Sequence, residues 1–184
     1  MSFVDRVKAI VLDPRSEWPK IAVEPATVQS LYTGWIMILA AIGPVALLLS
    51  THSLQWAVAE YVLSLIVTFV LALIVDSLAP SFGGTKDFVA SLKLTAYSYT
   101  AAWLAGIFNL LGVLGGLLGL LAAIYAFYTF FLGAPLLKKA SPEKAIPFTL
   151  VVVLCGIVLG ILAGYVFSGM MMTPRVGGGF GMMR

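Results

Sequence analysis

LTAYSYTAAWLAGIFNLLGVLGGLLGLLAAIYAFYTFFLGAPLL, residues 94–137, runs for 44 positions without an Asp, Glu, Lys, Arg or His. One α-helix crosses a hydrocarbon core of about 30 Å with roughly 20 residues, so this run holds two crossings. The break between them falls at Asn109-Leu110-Leu111-Gly112, with Gly115 and Gly116 just beyond. Asn and Gly reach turn conformations that other residues resist. The stretch therefore predicts a helical hairpin with almost no loop, and the remaining spans pack around it.

Composition places the rest of the chain in the same solvent. Of 184 residues, 61% are hydrophobic and 10% charged, with a mean hydropathy of +1.05. A soluble domain carries about 25% charged residues. The chain reads as an all-α, polytopic integral membrane protein with five transmembrane helices and a short amphipathic N-terminal helix. The net charge of +3 is small and dispersed, which suits orientation in a lipid bilayer rather than nucleic acid as a partner. Cys155 is the one cysteine and lies in an apolar span, so no intrachain disulfide forms. The first ~30 residues are charged, so no cleavable signal peptide is expected among them.

In order, the chain divides into a cytoplasmic amphipathic segment at 1–27, a membrane domain at 28–171 and a flexible Gly- and Met-rich tail at 172–184. Within 2–12, Phe3, Val4, Val7, Ile10 and Val11 share a helical face behind a Ser2 cap. Pro14 stops that helix, and Ser16 is placed to cap a further short turn carrying an interfacial Trp18. The spans fall near 28–50, 54–79, 92–110, 112–135 and 146–171, with a kink expected at Pro44. Gly115, Gly116 and Gly119 line one helix face, and Gly156, Gly160 and Gly164 recur every four residues on another. Small residues at that spacing let helix backbones approach closely, so both are expected packing faces.

Charge sets the expected orientation. With five spans, nine of the eleven Lys and Arg lie on the side of the N-terminus, leaving Arg175 and Arg184 on the other. The positive-inside rule puts the N-terminus in the cytoplasm and the C-terminus outside a cell (inner) membrane.

Few ionisable residues fall inside the spans, and each asks for a reason. Glu60 and Asp76 lie on one helix, about 24 Å apart along its axis and on nearly opposite sides, so they cannot work as a pair. The third span brings Lys93, Tyr97 and Thr100 to one face at spacings of four and three, where they can meet Asp76. The favoured reading of this polar cluster is an Asp76–Lys93 pair that fixes the loop between spans. The alternative is a cation, proton or small-solute site at a cytoplasmic mouth.

These residues resemble a known family. Asp13-Pro14-Arg15-Ser16-Glu17-Trp18-Pro19 is similar to the opening of the bacterial branch of the Yip family (Ypt/Rab-interacting proteins). So is Asp76-Ser77-Leu78-Ala79-Pro80-Ser81-Phe82-Gly83-Gly84, followed by Ala96-Tyr97-Ser98-Tyr99-Thr100 and Trp103. The resemblance covers about residues 5–165, with Asp13, Pro14, Trp18, Pro80, Gly83 and Gly84 as its motif positions. It implies a five-span membrane domain with a cytoplasmic N-terminus. Eukaryotic members are linked to Rab GTPases and vesicle traffic through a long cytoplasmic extension; this chain lacks it, which argues against a GTPase partner.

Enzyme chemistry has little to stand on. The sequence has one His, His52, one Cys without a nearby base, and no H-E-x-x-H or G-x-S-x-G motif. No catalytic residue, metal site or cofactor is expected. The expectation is a non-enzymatic scaffold or adaptor that self-associates or binds another membrane protein through helix faces and its cytoplasmic surface. The alternative is a channel or transporter with Asp76 at its cytoplasmic mouth.

Overall fold

A computed structural model describes residues 2–172, and every regular element among them is helical. The tail expected to be flexible lies, beyond Met172, outside the described residues.

Two helices precede the first crossing. In α1 (Phe3–Leu12) the Ser2 hydroxyl accepts from the Asp5 N–H at 3.1 Å and donates to the Asp5 carboxylate at 2.6 Å. Pro14 cannot continue α1, but it suits the first position of a new helix. α2 (Pro14–Val23) starts there, with the Asp13 carboxylate accepting from the Ser16 N–H. The short turn expected at Ser16 is therefore a ten-residue helix capped by Asp13. Its Glu17, Trp18 and Ile21 are fully buried, so α2 packs closely on its neighbours.

The first crossing, Val28–Thr51, is irregular. It comprises α3 (Val28–Leu31), a π-helical turn (Tyr32–Ile36), α4 (Met37–Ala40) and α5 (Ile42–Thr51). α5 restarts after Ala41 because Pro44 has no N–H to donate to the turn before it. His52, left-handed at φ 54°, closes α5. α6 (Leu54–Leu78) then crosses back, followed by a 3₁₀ turn (Ala79–Phe82) that Gly83 ends at φ 76°.

The segment expected as one helix at 92–110 is broken into α7 (Phe88–Ser98), α8 (Thr100–Ala105) and a 3₁₀ stretch (Gly106–Leu111). The Thr129 hydroxyl of the facing helix stands 3.2 Å from the Ser98 carbonyl and 2.8 Å from that of Ala126 in its own helix. At Gly106 the backbone of Gly43 passes so close that a Cβ would lie 2.9 Å from its Cα. Gly112, at φ 59°, turns the chain into α9 (Val113–Lys138), and α10 (Pro142–Met172) ends the described fold. A Cβ on Gly115 would sit 1.8 Å from the Phe108 carbonyl oxygen, which is how the hairpin closes with so little loop.

Among the described residues, four helices are long and apolar enough to cross a membrane: Val28–Thr51, Leu54–Phe82, Val113–Lys138 and Glu143–Met170. The core lies between them, around Trp18, Trp35, Leu94, Phe130 and Phe148. Outward positions such as Leu117, Leu121, Ile157 and Ile161 are apolar and exposed, as helices surrounded by hydrocarbon require. The bundle has two distinct ends. One gathers the end of α6, the start of α7, the end of α9 and the C-terminal end of α2. The other gathers the α5–α6 turn, the Gly112 turn and the end of α10.

Candidate functional site

The first of these ends carries a buried charge clamp. Lys138, in the last turn of α9, has no exposed surface, and its ammonium lies 2.9 Å from the Asp76 carboxylate near the end of α6. The same carboxylate oxygen accepts from the Asp87 N–H at 2.7 Å and from the Ser91 hydroxyl at 3.1 Å. Lys138 donates further to the Asp87 carbonyl at 2.9 Å. Its own carbonyl accepts from the Thr85 N–H at 2.8 Å. A Cβ on Gly84 would stand 2.8 Å from that carbonyl and 3.1 Å from that of Ala79. Only a glycine lets the loop pass here. One ion pair thus ties together α6, the loop before α7, and α9.

A second network joins the two N-terminal helices to each other. The Arg6 guanidinium donates to Glu17 at 2.7 Å and also pairs with Glu24. Lys20 reaches the other Glu17 oxygen at 2.9 Å. Burial works against the Arg6 charge, but the hydrogen bond and the charges of Glu24 and Glu17 outweigh it and hold its pKa above the ordinary guanidinium value. The Trp18 ring lies against Gly133 of α9, where a Cβ would come within 2.7 Å of it. The Tyr125 hydroxyl donates to the Val11 carbonyl at 2.7 Å, tying the end of α1 to α9.

The polar cluster expected around Asp76 is not one cluster. Lys93 turns away from Asp76 and donates to the carbonyls of Ile21 at 2.9 Å and Glu24 at 2.5 Å. Those carbonyls end α2, where a helix offers unpaired acceptors and the negative end of its dipole, so a cation belongs there. Tyr97 packs on Trp35, with ring centroids 4.5 Å apart. The Thr100 hydroxyl accepts from the Trp35 indole N–H at 3.2 Å. Asp76, Lys93, Tyr97 and Thr100 therefore serve three separate contacts.

The motif positions take identifiable structural parts. Asp13 caps α2, Pro14 opens it and Trp18 anchors it. Pro80 enters the 3₁₀ turn, Gly83 ends it and Gly84 makes the close pass. The glycine faces divide: Gly115 is in tight contact and Gly156 faces the Tyr99 hydroxyl, whereas Gly116, Gly119, Gly160 and Gly164 have nothing within 4 Å. Lys138, Asp87, Ser91, Arg6 and Glu17 carry the site without having been singled out from sequence. The signal for Lys138 was its place as the first charge after 44 uncharged residues.

The clamp's donors converge on one oxygen of the Asp76 carboxylate. Asp76 is matched by one cation and two neutral donors, and among the described residues no group of His, Cys, Asp and Glu can hold a metal ion. The Yip1 domain family model matches residues 8–172, which takes in the clamp, Trp18 and both glycine faces. A search of curated proteins and a search of solved structures found no match. A match over most of the chain, on a helical bundle of membrane-spanning length, makes this multi-pass membrane protein a member of the Yip1 domain family.

Proposed function

We propose that the protein is a non-enzymatic scaffold of the cell (inner) membrane, acting through a rigid cytoplasmic platform and open helix faces. One observation carries the reading. The buried Glu17 joins the N-terminal helices to each other through Arg6, Trp18 against Gly133 and the Tyr125 hydroxyl on the Val11 carbonyl hold them to α9, and Leu12 and Val23 stand 79% and 82% exposed on the same pair of helices. A fixed surface with projecting apolar side chains is suited to docking, because little entropy is lost in ordering it. The open sides at Gly116 and Gly160 offer room for another helix, either of a second copy or of another membrane protein.

In this reading the broken 88–111 segment is the fifth crossing. It runs from the Asp76 end, where Asp87 and Ser91 meet that carboxylate, to the Glu60 end, where Asn109 shares a cavity with Glu60. The N-terminus is then cytoplasmic and the C-terminus outside, as the lysine distribution favours. The Yip family is not known for enzymatic members, and Asp76, already paired with Lys138, gives no support to a cation mouth at that residue.

Photo-crosslinking residues placed at Leu12, Val23 and Gly160 in native membranes test the proposal. The expected result is a reproducible protein adduct, with those at Leu12 and Val23 lost when Arg6→Ala loosens the platform. Adducts to lipid alone at all three positions would remove it.

A further inference from the structure

At the end of the bundle away from the clamp, two cavities adjoin. The larger, about 410 Å³, lies between α5, α6 and α10 and is walled largely by apolar residues including Leu47, Val67 and Phe167. The smaller, about 200 Å³, is bounded by Gly43, Trp103 and Gly119 among others. Glu60, Ser64 and Asn109 line both, so these three side chains form the partition between them. Gly43 makes room for the carboxylate, since a Cβ there would lie 3.2 Å from a Glu60 oxygen. No ion pair or hydrogen bond holds the Glu60 carboxylate among the described residues, in contrast to Asp76.

We propose that this partition binds the protonated amine of a small amphiphile, whose apolar body fills the larger cavity. A primary ammonium has one charge and three N–H donors. The partition offers one carboxylate, one hydroxyl and one amide oxygen, which match that charge and those donors. The charge-assisted bond to Glu60 gives affinity, and the apolar wall beside it selects an alkyl or aryl amine over a bare cation. A divalent ion is a poor fit: Ca²⁺ wants six to eight oxygen ligands, and no second carboxylate lies here. The larger cavity has the size of ordinary small-molecule pockets, which run roughly 300–1,000 Å³. Its glycine wall contributes, since Gly164 lines it and has nothing within 4 Å of its missing Cβ.

The ammonium has two sources, a free amine and the headgroup of phosphatidylethanolamine. The full chain is placed in nanodiscs of phosphatidylcholine, which carries no primary amine, and titrated with radiolabelled phenethylamine. Saturable one-to-one binding is expected. Glu60→Gln should weaken it by about tenfold or more. Gly164→Leu, which adds side-chain volume at the wall of the larger cavity and leaves Glu60 in place, should weaken it by a similar factor and keeps the test valid if Glu60→Gln fails to fold. Repeating the titration in phosphatidylethanolamine discs separates the sources: competition assigns the site to the lipid amine, and unchanged binding assigns it to a free one. Absence of saturable binding in phosphatidylcholine discs, or undiminished binding in either folded variant, overturns the proposal.

Discussion

Lys138 closes an ion pair of 2.9 Å with Asp76, a residue 62 positions earlier in the chain, and has no exposed surface in doing so. Both charges sit where water does not reach freely, so each depends on the other. Removing one member of a buried pair typically costs about 3–5 kcal/mol, because the remaining charge is left uncompensated. Lys138→Met is therefore expected to lower the melting temperature of the solubilised protein sharply. Asp76→Asn combined with Lys138→Met should recover much of the loss. A double variant no more stable than Lys138→Met alone would show that the two residues act independently.

Lys93 makes a different prediction from the one its spacing suggests. Its ammonium ends α2 through the Ile21 and Glu24 carbonyls. Hydrogen bonds to a charged group contribute roughly 1.5–3 kcal/mol each. Lys93→Met should raise hydrogen exchange across α2 while leaving the Asp87 and Ser91 amides protected. Deprotection centred on Asp87 would instead restore a link between Lys93 and Asp76.

The glycines separate into positions that tolerate a methyl group and positions that do not. Gly84→Ala brings a Cβ to within 2.8 Å of the Lys138 carbonyl, and both atoms belong to backbone or its immediate substituent. Forced overpacking of this kind costs about 1–3 kcal/mol. Gly160→Ala adds a methyl where nothing lies within 4 Å, and alanine is the better helix former. Thermal melting should rank Gly84→Ala below wild type and Gly160→Ala at or slightly above it.

The start of α1 responds to acid. The Ser2 hydroxyl, followed by the backbone contact to the same residue, holds the Asp5 carboxyl below the usual carboxylate range. A lowered folded-state pKa means stability present above the unfolded value of about 3.9 and lost as pH falls through the folded value. Amide exchange over the first turn of α1 should therefore rise only below about pH 4. Asp5→Asn should flatten that dependence, and an unchanged profile in the variant would assign the transition to another group.

How much of this was legible in sequence differs by feature. The hairpin was readable because Asn109–Gly112 is the one cluster of turn formers in a long uncharged run, and Gly112 takes the positive φ that a turn needs. That Asp76 would pair with a lysine was also readable, since an ionisable group in an apolar helix asks for a reason. Which lysine was not. Helical periodicity relates residues on one helix or on the next in order, which pointed to Lys93, whereas Lys138 arrives from α9 after the whole hairpin. α2 was read only as a short turn at Ser16 because Pro14 was taken as a stop, although Pro14 suits a first position. The break at Ser98–Thr100 carries no proline or glycine and leaves no local trace.

Side-specific labelling tests the threading of the chain most directly. Cysteines are introduced one at a time at Lys20, His52, Lys86 and Val113 in a Cys155→Ala background, and intact cells are treated with a membrane-impermeant maleimide. The account predicts that His52 and Val113 label from outside, while Lys20 and Lys86 label only after the membrane is opened. Labelling of the Val113 position together with Lys86, on the inner side, would mean that residues 88–111 do not cross, and the arrangement described here would fail.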